Sequence, residues 1–227
     1  MTIGDSNEAR AKILGRIRKA QGRAAGGASP AQREAVQTYL RAHPRGPVPD
    51  LSGDLVARFR ERAESMQSTT EEVATETDVP RSVARYLKAN GLPGSGCVWP
   101  ALAHLDWRAA GLALEARVPR RENGGDDPVG VTGAFAGIAE TGTLMSVTGP
   151  DTPASTSLLP ETHVAVLAAE RIVAHMEDCW DLARSALGQL PRAINFISGP
   201  SRTGDIEQQL VLGAHGPYRV HIVIVRK

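Results

Sequence analysis

The sequence predicts an α/β domain on a mainly parallel sheet with helices on both faces, a three-layer α/β/α arrangement over residues 68–227. A helical N-terminal extension over residues 1–67 precedes it. Three observations predict this. From residue 68 onward, short apolar or β-branched runs alternate with helical stripes, and strand, helix and strand in series make a parallel sheet covered on both faces. Before residue 68 the apolar residues are sparse and helically spaced. Polar, glycine-rich clusters sit where predicted strands end, which is where open α/β sheets place their ligands.

In the extension, Ile13, Leu14 and Ile17 mark one face of a first helix, with Arg10, Lys12, Arg16, Arg18, Lys19 and Arg23 around the rest. Gly26-Gly-Ala-Ser-Pro30 breaks it. Ser29 is placed to N-cap a second helix with Pro30 at its first position, and Ala35, Val36, Tyr39 and Leu40 give that helix its stripe. Residues 43–49 carry three prolines and form a rigid linker. Leu51, Leu55 and Phe59, spaced by four, define a third helix. Three such short helices do not make a stable domain alone, so they are expected to clasp the main domain or a second subunit.

In the main domain, residues 69–75 are β-branched and read as a strand. Asp78 and Pro80 open a helix carrying Val83, Tyr86 and Leu87, which Asn90-Gly91 closes. Residues 96–99 form a short strand stopped by Pro100, and residues 112–118 another. Residues 120–128, with Asn123-Gly-Gly-Asp-Asp127, form a polar loop. Residues 129–148 read as a glycine-punctuated pair of strands meeting near Glu140-Thr-Gly142. Residues 162–167 are a buried strand. Met176, Cys179, Trp180, Ala183 and Leu187 mark a helix, and residues 193–197 and 218–225 supply the last strands.

Bulk properties exclude several classes. The net charge of the 227-residue chain is +1, which gives no global electrostatic case for nucleic acid or an acidic membrane. The charge is uneven: residues 1–66 hold twelve Lys/Arg against seven Asp/Glu, and residues 67–227 hold fourteen against eighteen. Cys97 and Cys179 lie far apart and outside any Cys-x-x-Cys pair, so no disulfide framework, zinc site or cysteine-ligated cluster is expected. No apolar run approaches the ~20 residues that span a bilayer, and no apolar h-region follows the basic N-terminus. The expected location is therefore cytoplasmic. No G-x-G-x-x-G fingerprint is present.

Polar side chains without a core role mark the candidate site. In Glu140-Thr-Gly-Thr143, Gly142 lets backbone approach a ligand, and Thr141 and Thr143 offer hydroxyls. Glu140 is a candidate base or nucleophile, against the alternative of a hairpin turn with Glu140 bonded to a neighbouring loop. Gly199, Ser201, Arg202, Thr203 and Asp205 follow a strand. A helix starting near Thr203 would offer free amides that make an anion pocket with Arg202. The alternative is Arg202 pairing with Asp205 or Glu140 as a loop clamp. His215, between Gly213 and Gly216, is the second acid–base candidate, and Gly216 lines the same turn. His163 opens an apolar strand and reads as structural. Ser157 in Ser157-Leu-Leu-Pro160 is either a donor or part of a docking loop, Trp99 is a candidate wall of the crevice, and Trp180 is expected to be buried. No His, Asp or Glu spacing indicates a metal.

Gly199-Pro-Ser-Arg-Thr-Gly-Asp-Ile-Glu207 with His215-Gly-Pro217 resembles the C-terminal signature of the LUD-domain family of lactate-utilisation proteins. Ala139-Glu-Thr-Gly-Thr143, and Ser157-Leu-Leu-Pro160 followed by His163, fit the same family, with the order and spacing of its protein C branch. The resemblance runs from about residue 70 to the C-terminus. Many members carry arginine just before the Ser-Leu-Leu-Pro block, where this chain has Pro153 and Ala154. The resemblance implies the fold of glucosamine-phosphate deaminases, ribose-phosphate isomerases and coenzyme A transferases. It also implies a subunit of a multi-protein system oxidising L-lactate to pyruvate, binding a small carboxylate or acyl/phosphate ligand at strand C-terminal ends. No cofactor is expected in this chain, and iron–sulfur clusters are expected in partner subunits; a homo-oligomer is possible. Two alternatives stay open: a stand-alone acyl- or CoA-transferring enzyme using Glu140, in an E-x-G turn similar to that of coenzyme A transferases, and a non-catalytic scaffold.

Overall fold

The computed structural model describes residues 3–22, 27–122, 125–206, 209–213 and 215–227. The chain divides into two compact units, Met1–Val48 and Pro49–Lys227. The first holds α1 (Ile3–Ala20) and α2 (Pro30–Ala42). Ser29 caps α2 as its sequence requires: its Oγ accepts from the Gln32 amide at 3.2 Å while Gln32 Oε1 accepts from the Ser29 amide at 2.9 Å, a reciprocal capping box. The stripe residues Ile13, Ile17, Val36, Tyr39 and Leu40 are exposed.

The second unit begins with α3 (Leu55–Ser65), N-capped by Asp54, whose Oδ1 accepts from the Val56 amide at 2.9 Å. Its sequence groups it with the first two helices, yet Val56, Phe59 and Ala63 are buried in the core of this unit. The strands and helices that follow are β1 (Thr69–Val73), α4 (Val79–Ala89), β2 (Ser95–Val98), β3 (Ala113–Ala116), β4 (Arg121–Glu122), β5 (Gly125–Asp126) and β6 (Val129–Gly133). Next come β7 (Ala136–Ile138), β8 (Thr143–Val147), α5 (Ser155–Leu158), β9 (Thr162–Ala168), β10 (Ile172–Val173) and α6 (Met176–Leu187). The chain ends with β11 (Ile194–Ile197), β12 (Arg202–Ile206), β13 (Gln209–Leu212) and β14 (Arg219–Val225).

The expected parallel sheet is present. Its six strands run β1-β14-β9-β6-β2-β3, and every neighbouring pair is parallel. Because successive side chains point to opposite faces, Val164, Val166, Val223 and Val225 pack toward Val79, Val83 and Leu87 of α4. Ala165, Leu167, Ile222 and Ile224 pack on the other face with Phe59 and Ala63 of α3. A sheet buried on both faces needs the continuous apolar runs that β9 and β14 supply.

Residues 129–148 form three strands rather than the two their sequence suggests. β6 stays in the parallel sheet. The chain then crosses at Ala134, whose amide donates to the Val166 carbonyl, and Phe135, whose amide donates to the Met145 carbonyl. β7 and β8 enter a second sheet of order β10-β7-β8-β11, with β10/β7 parallel and the other two pairs antiparallel. Leu144 and Ala139 of this sheet join the core beside α3, whereas Ala136, Ile138 and Met145 face Cys179 and Ala183 of α6. Trp180 is half-buried, edge-on to Phe196 at 5.5 Å between ring centroids. The polar loop before β6 is tied down at one end: Arg117 grips the buried Asp127 through two bonds of 2.8 and 2.9 Å.

Two histidines are sealed into the parallel sheet. His163 in β9 shares a 2.8 Å hydrogen bond between Nε2 and Thr132 Oγ1, and His221 in β14 shares one of 2.8 Å between Nδ1 and Thr69 Oγ1 while stacking on Tyr86. His163 is structural, as its place in an apolar strand suggests. Burial pushes both imidazoles from 6.5 down to about 4, because the charged ring loses its hydration. Between these values the unfolded chain binds protons that the folded chain does not, so folding is favoured above pH 6.5 and that advantage is lost as pH falls toward 4. Urea unfolding should therefore show stability dropping between pH 6.5 and 4.5 by about 2 kcal/mol per histidine. His163→Gln should remove roughly half of this pH dependence; an unchanged slope would show that His163 does not report its burial.

Candidate functional site

The last turn of α3 organises the site. Gly142 follows the β7–β8 turn with φ +67°, and a Cβ there would lie 2.2 Å from the Ala63 amide nitrogen and 2.5 Å from the Arg62 carbonyl carbon. Gly199 follows β11 with φ +75°, and its Cβ would lie 2.2 Å from the Met66 carbonyl oxygen. Both loops press backbone against backbone at one helix end, Gly142 on Arg62 and Ala63 and Gly199 on Met66, and any side chain would forbid this approach. Arg202 completes the contact by donating from Nη2 to the Met66 carbonyl at 2.7 Å. It caps a helix end. Its guanidinium is exposed but already committed to a carbonyl, as cations near a helix C-terminus often are.

Glu140 stands at the end of β7 and is held by its backbone: its amide donates to the Ala174 carbonyl at 3.0 Å. Its Oε2 lies 2.9 Å from Nδ1 of His175. The imidazole side chain is 11% exposed and the carboxylate 31%, so the pair is open to solvent mainly on the glutamate side. His175 is the residue before α6, with its own amide donating to Asp178 Oδ2 at 3.0 Å. A carboxylate only accepts, so in this hydrogen bond Nδ1 is the donor to an ionised Glu140.

The other candidate residues divide. Thr141 donates to Thr143 at 2.8 Å across Gly142, and Thr143 is buried. Ser201 is bracketed by backbone: its amide donates to the Pro217 carbonyl at 2.9 Å, its carbonyl accepts from Gly213 at 2.9 Å, and its Oγ accepts from the His215 amide at 3.3 Å. A Cβ on Gly216 would meet Ser201 Cβ at 3.3 Å and the Leu158 carbonyl at 3.9 Å. The His215 turn thus joins Ser201 to the Ser157-Leu-Leu-Pro160 block, with His215 itself exposed. Ser157 is buried and its Oγ donates to the Ala154 carbonyl at 2.9 Å, which makes it part of a docked turn rather than a ligand donor. Trp99 is a core residue, 4% exposed, whose Nε1 donates to the Pro153 carbonyl at 2.9 Å.

Two expectations are corrected. No helix begins near Thr203. The backbone of Thr203 and Asp205 lies in β12, paired antiparallel with β13 in a hairpin, so helix-start amides do not supply an anion pocket there. The cause lies in the sequence: Gly204 is unfavourable inside a helix, and β-branched Thr203 and Ile206 suit a strand. Glu207 lies outside the described residues. The second correction concerns position. The loops sit at the carboxyl ends of β7 and β11, which share one direction in the second sheet. In the parallel sheet, however, they sit at the amino edge: Met66 precedes β1, Leu158 precedes β9 and Pro217 precedes β14. The second sheet runs back across the first, from Gly137 beside Leu167 near the end of β9 to Gly142 beside the end of α3.

Two residues enter only through the structure. His175 carries no motif of its own. Its position just before a helical stripe suggests a cap and nothing more. Arg62 belongs to the turn that meets Gly142, and its Nε is buried without a hydrogen-bond partner among the described residues. Its spacing of seven from Leu55 on the edge of a buried stripe was the available signal. Among the described residues no three His, Cys, Asp or Glu gather to hold a metal, and no helix is long and apolar enough to cross a membrane. Cys97 and Cys179 are both buried, and burial pushes their thiols up to about 12 and about 11, away from the thiolate that binds metal.

An α/β core carrying these three signature blocks at one edge defines the class. The chain belongs to the LUD domain family, whose profile matches residues 56–225. It is similar to lactate utilization protein C of Bacillus subtilis, 32% identical over 130 residues, which are 56% of this chain and 53% of that protein. It is also similar to lactate utilization protein C of an Exiguobacterium species, 39% identical over 101 residues, covering 43% of this chain and 44% of that protein. The chain thus spans about half the length of the curated relatives it matches. A crystal structure of a DUF162 family protein from Deinococcus radiodurans superimposes with a TM-score of 0.55 at 18% identity, over 78% of this chain and 99% of that one, a likeness of fold.

The helix-end contacts set separable stability costs. Gly142→Ala and Gly199→Ala should each lower unfolding free energy by about 2 kcal/mol or more, since each forces both a collision and an unfavourable φ. Arg202→Ala should cost only about 1 kcal/mol, the worth of one exposed capping hydrogen bond. Equal losses for all three in urea melts would show that the close backbone approach is not what holds the loops.

Proposed function

We propose that this chain is a subunit of a multi-protein system that oxidises L-lactate to pyruvate, and that it holds a small carboxylate, or an acyl or phosphate ligand, beside the end of α3. The observation that carries this reading is the gathering of the signature blocks. The Glu140–Thr143 turn and the Gly199–Arg202 loop share one helix end, and the His215 turn links the second of them to the Ser157 block. The names of the relatives point to lactate utilisation. The hydrogen bond between Glu140 and His175 favours acid–base use of the carboxylate over attack on a thioester, because the imidazole orients it and shares its charge.

The test is genetic and biochemical. Deleting the gene from its host should abolish growth on L-lactate as sole carbon source and leave growth on glucose intact. Restoring the natural gene should return lactate growth, and a tagged copy should co-purify an iron-containing partner. Glu140→Ala should return lactate oxidation in extracts at about a tenth of the natural rate or less, the usual loss for a positioned acid–base group. Undiminished growth of the deletion strain on lactate would overturn the role. Full restoration by Glu140→Ala would make the chain a scaffold.

A further inference from the structure

We infer that the N-terminal arm, α1 and α2, is a docking element for a second copy of this chain, and that the groove between its two helices receives α6 of that copy. The inference stands apart from the proposed function and depends on neither its ligand nor its partner subunits.

The arm has the character of a surface made to be covered. Of the described side chains on α1 and α2, Leu14 alone is half-buried and the rest are exposed. They include Ile13, Ile17, Val36, Tyr39 and Leu40, the apolar stripes of both helices. Helices of 18 and 13 residues so exposed gain little from packing, and helices of about this length are marginal in water by themselves. The family profile spans residues 56–225, so the arm lies outside the domain that defines the fold. Between the two helices runs a groove of about 1100 Å³, lined by Arg18, Gln32, Arg33, Ala35 and Val36 among others. It is apolar at Ala35 and Val36 and cationic at its two arginines.

Charge selects the occupant. Residues 1–48 hold nine Lys/Arg against three Asp/Glu, and residues 49–227 hold seventeen against twenty-two. A basic unit and an acidic unit on one chain draw copies of it together. Within the acidic unit, α6 matches the groove. One face is buried through Cys179 and Ala183, while Met176 and Asp181 are exposed and Trp180 is half-buried. The helix carries Glu177, Asp178 and Asp181 against Arg184 alone. An acidic helix with an apolar stripe, laid in a cationic groove with an apolar wall, is helix-in-groove recognition. Lipid is a poorer occupant, since neither arm helix has a Trp or Phe to seat at a membrane interface. Residues 43–49, with three prolines, make a stiff spacer that favours reaching a neighbour over returning to the same chain. Reciprocal exchange of arms puts each α6 in the other copy's groove and closes the assembly at two copies.

Sedimentation equilibrium of the full chain tests this. The natural chain should be a dimer whose dissociation constant rises about tenfold or more between ~0.05 M and ~0.5 M salt, because salt screens exposed charge. Arg18→Glu with Arg33→Glu in the groove should weaken the dimer roughly ten- to a hundredfold, and Glu177→Lys with Asp181→Lys on α6 should do the same. All four changes together exchange the signs across the contact and should recover about tenfold or more of the loss. Glu76→Lys with Glu161→Lys, an equal change of charge elsewhere on the acidic unit, should leave the dimer as it is. The melting transition of each variant reports that its main unit is folded. Far-ultraviolet circular dichroism should show helix lost wherever the dimer is lost, since the arm helices are held by the other copy. A monomeric natural chain overturns the inference, whether its arm is free, held by its own chain or bound to mixed phosphatidylcholine and phosphatidylserine vesicles. So does a dimer indifferent to the groove pair or to the α6 pair, a dimer weakened as much by the control pair, or a four-residue variant that regains no affinity.

Discussion

The structure depends on the close approach of two loops to one helix end. α3 delivers the chain into β1 through Ser68, whose amide donates to the Ala63 carbonyl. The end of the same helix receives Gly142 at Arg62 and Ala63 and Gly199 at Met66, at distances no Cβ would tolerate. This is a steric constraint before it is an energetic one. It fixes where the β7–β8 turn can sit and where β11 must release the chain, and thereby the register of the second sheet against the first. Helix ends leave carbonyls unsatisfied, and Arg202 at Met66 answers one of them. A residue that its motif suggests as an anion receptor is therefore a capping group, for a reason visible only once α3 is in place.

Charge is distributed in keeping with that frame. Inside the parallel sheet the ionisable rings are kept neutral by burial, His163 against Thr132 and His221 against Thr69 and Tyr86. Beside the start of β6, Arg117 and Asp127 neutralise one another in a two-bond pair. After β7, by contrast, the Glu140 carboxylate remains partly open to solvent, 2.9 Å from Nδ1 of His175.

Much of the fold was legible in the sequence. The continuous apolar run Val164-Ala-Val-Leu167 in β9, the stripe of α4 and the Ser29-Pro30 start of α2 each express a local rule that the tertiary structure had no reason to break. Residues 129–148 were harder, because a glycine-rich run has no periodicity that distinguishes two strands of one sheet from three strands divided between two. The segment after Gly199 is ambiguous for a related reason. Polar residues after a strand suit a helix start as well as a hairpin, and Gly204 between Thr203 and Asp205 tips the balance only weakly.

The sequence by itself determined which blocks matter and the class of fold that carries them. Glycines, a glutamate and an arginine at strand ends have no role in a core, and apolar runs buried on both faces make a parallel sheet. Only the tertiary structure decided what those residues touch. The partner of Glu140 is 35 residues away in sequence, and that of Arg202 is 136 residues away. Neither distance is encoded in a local period. Contacts of that range follow from how one helix end, two loops and two sheets exclude each other in space, and that is a property of the packed chain rather than of any stretch of it.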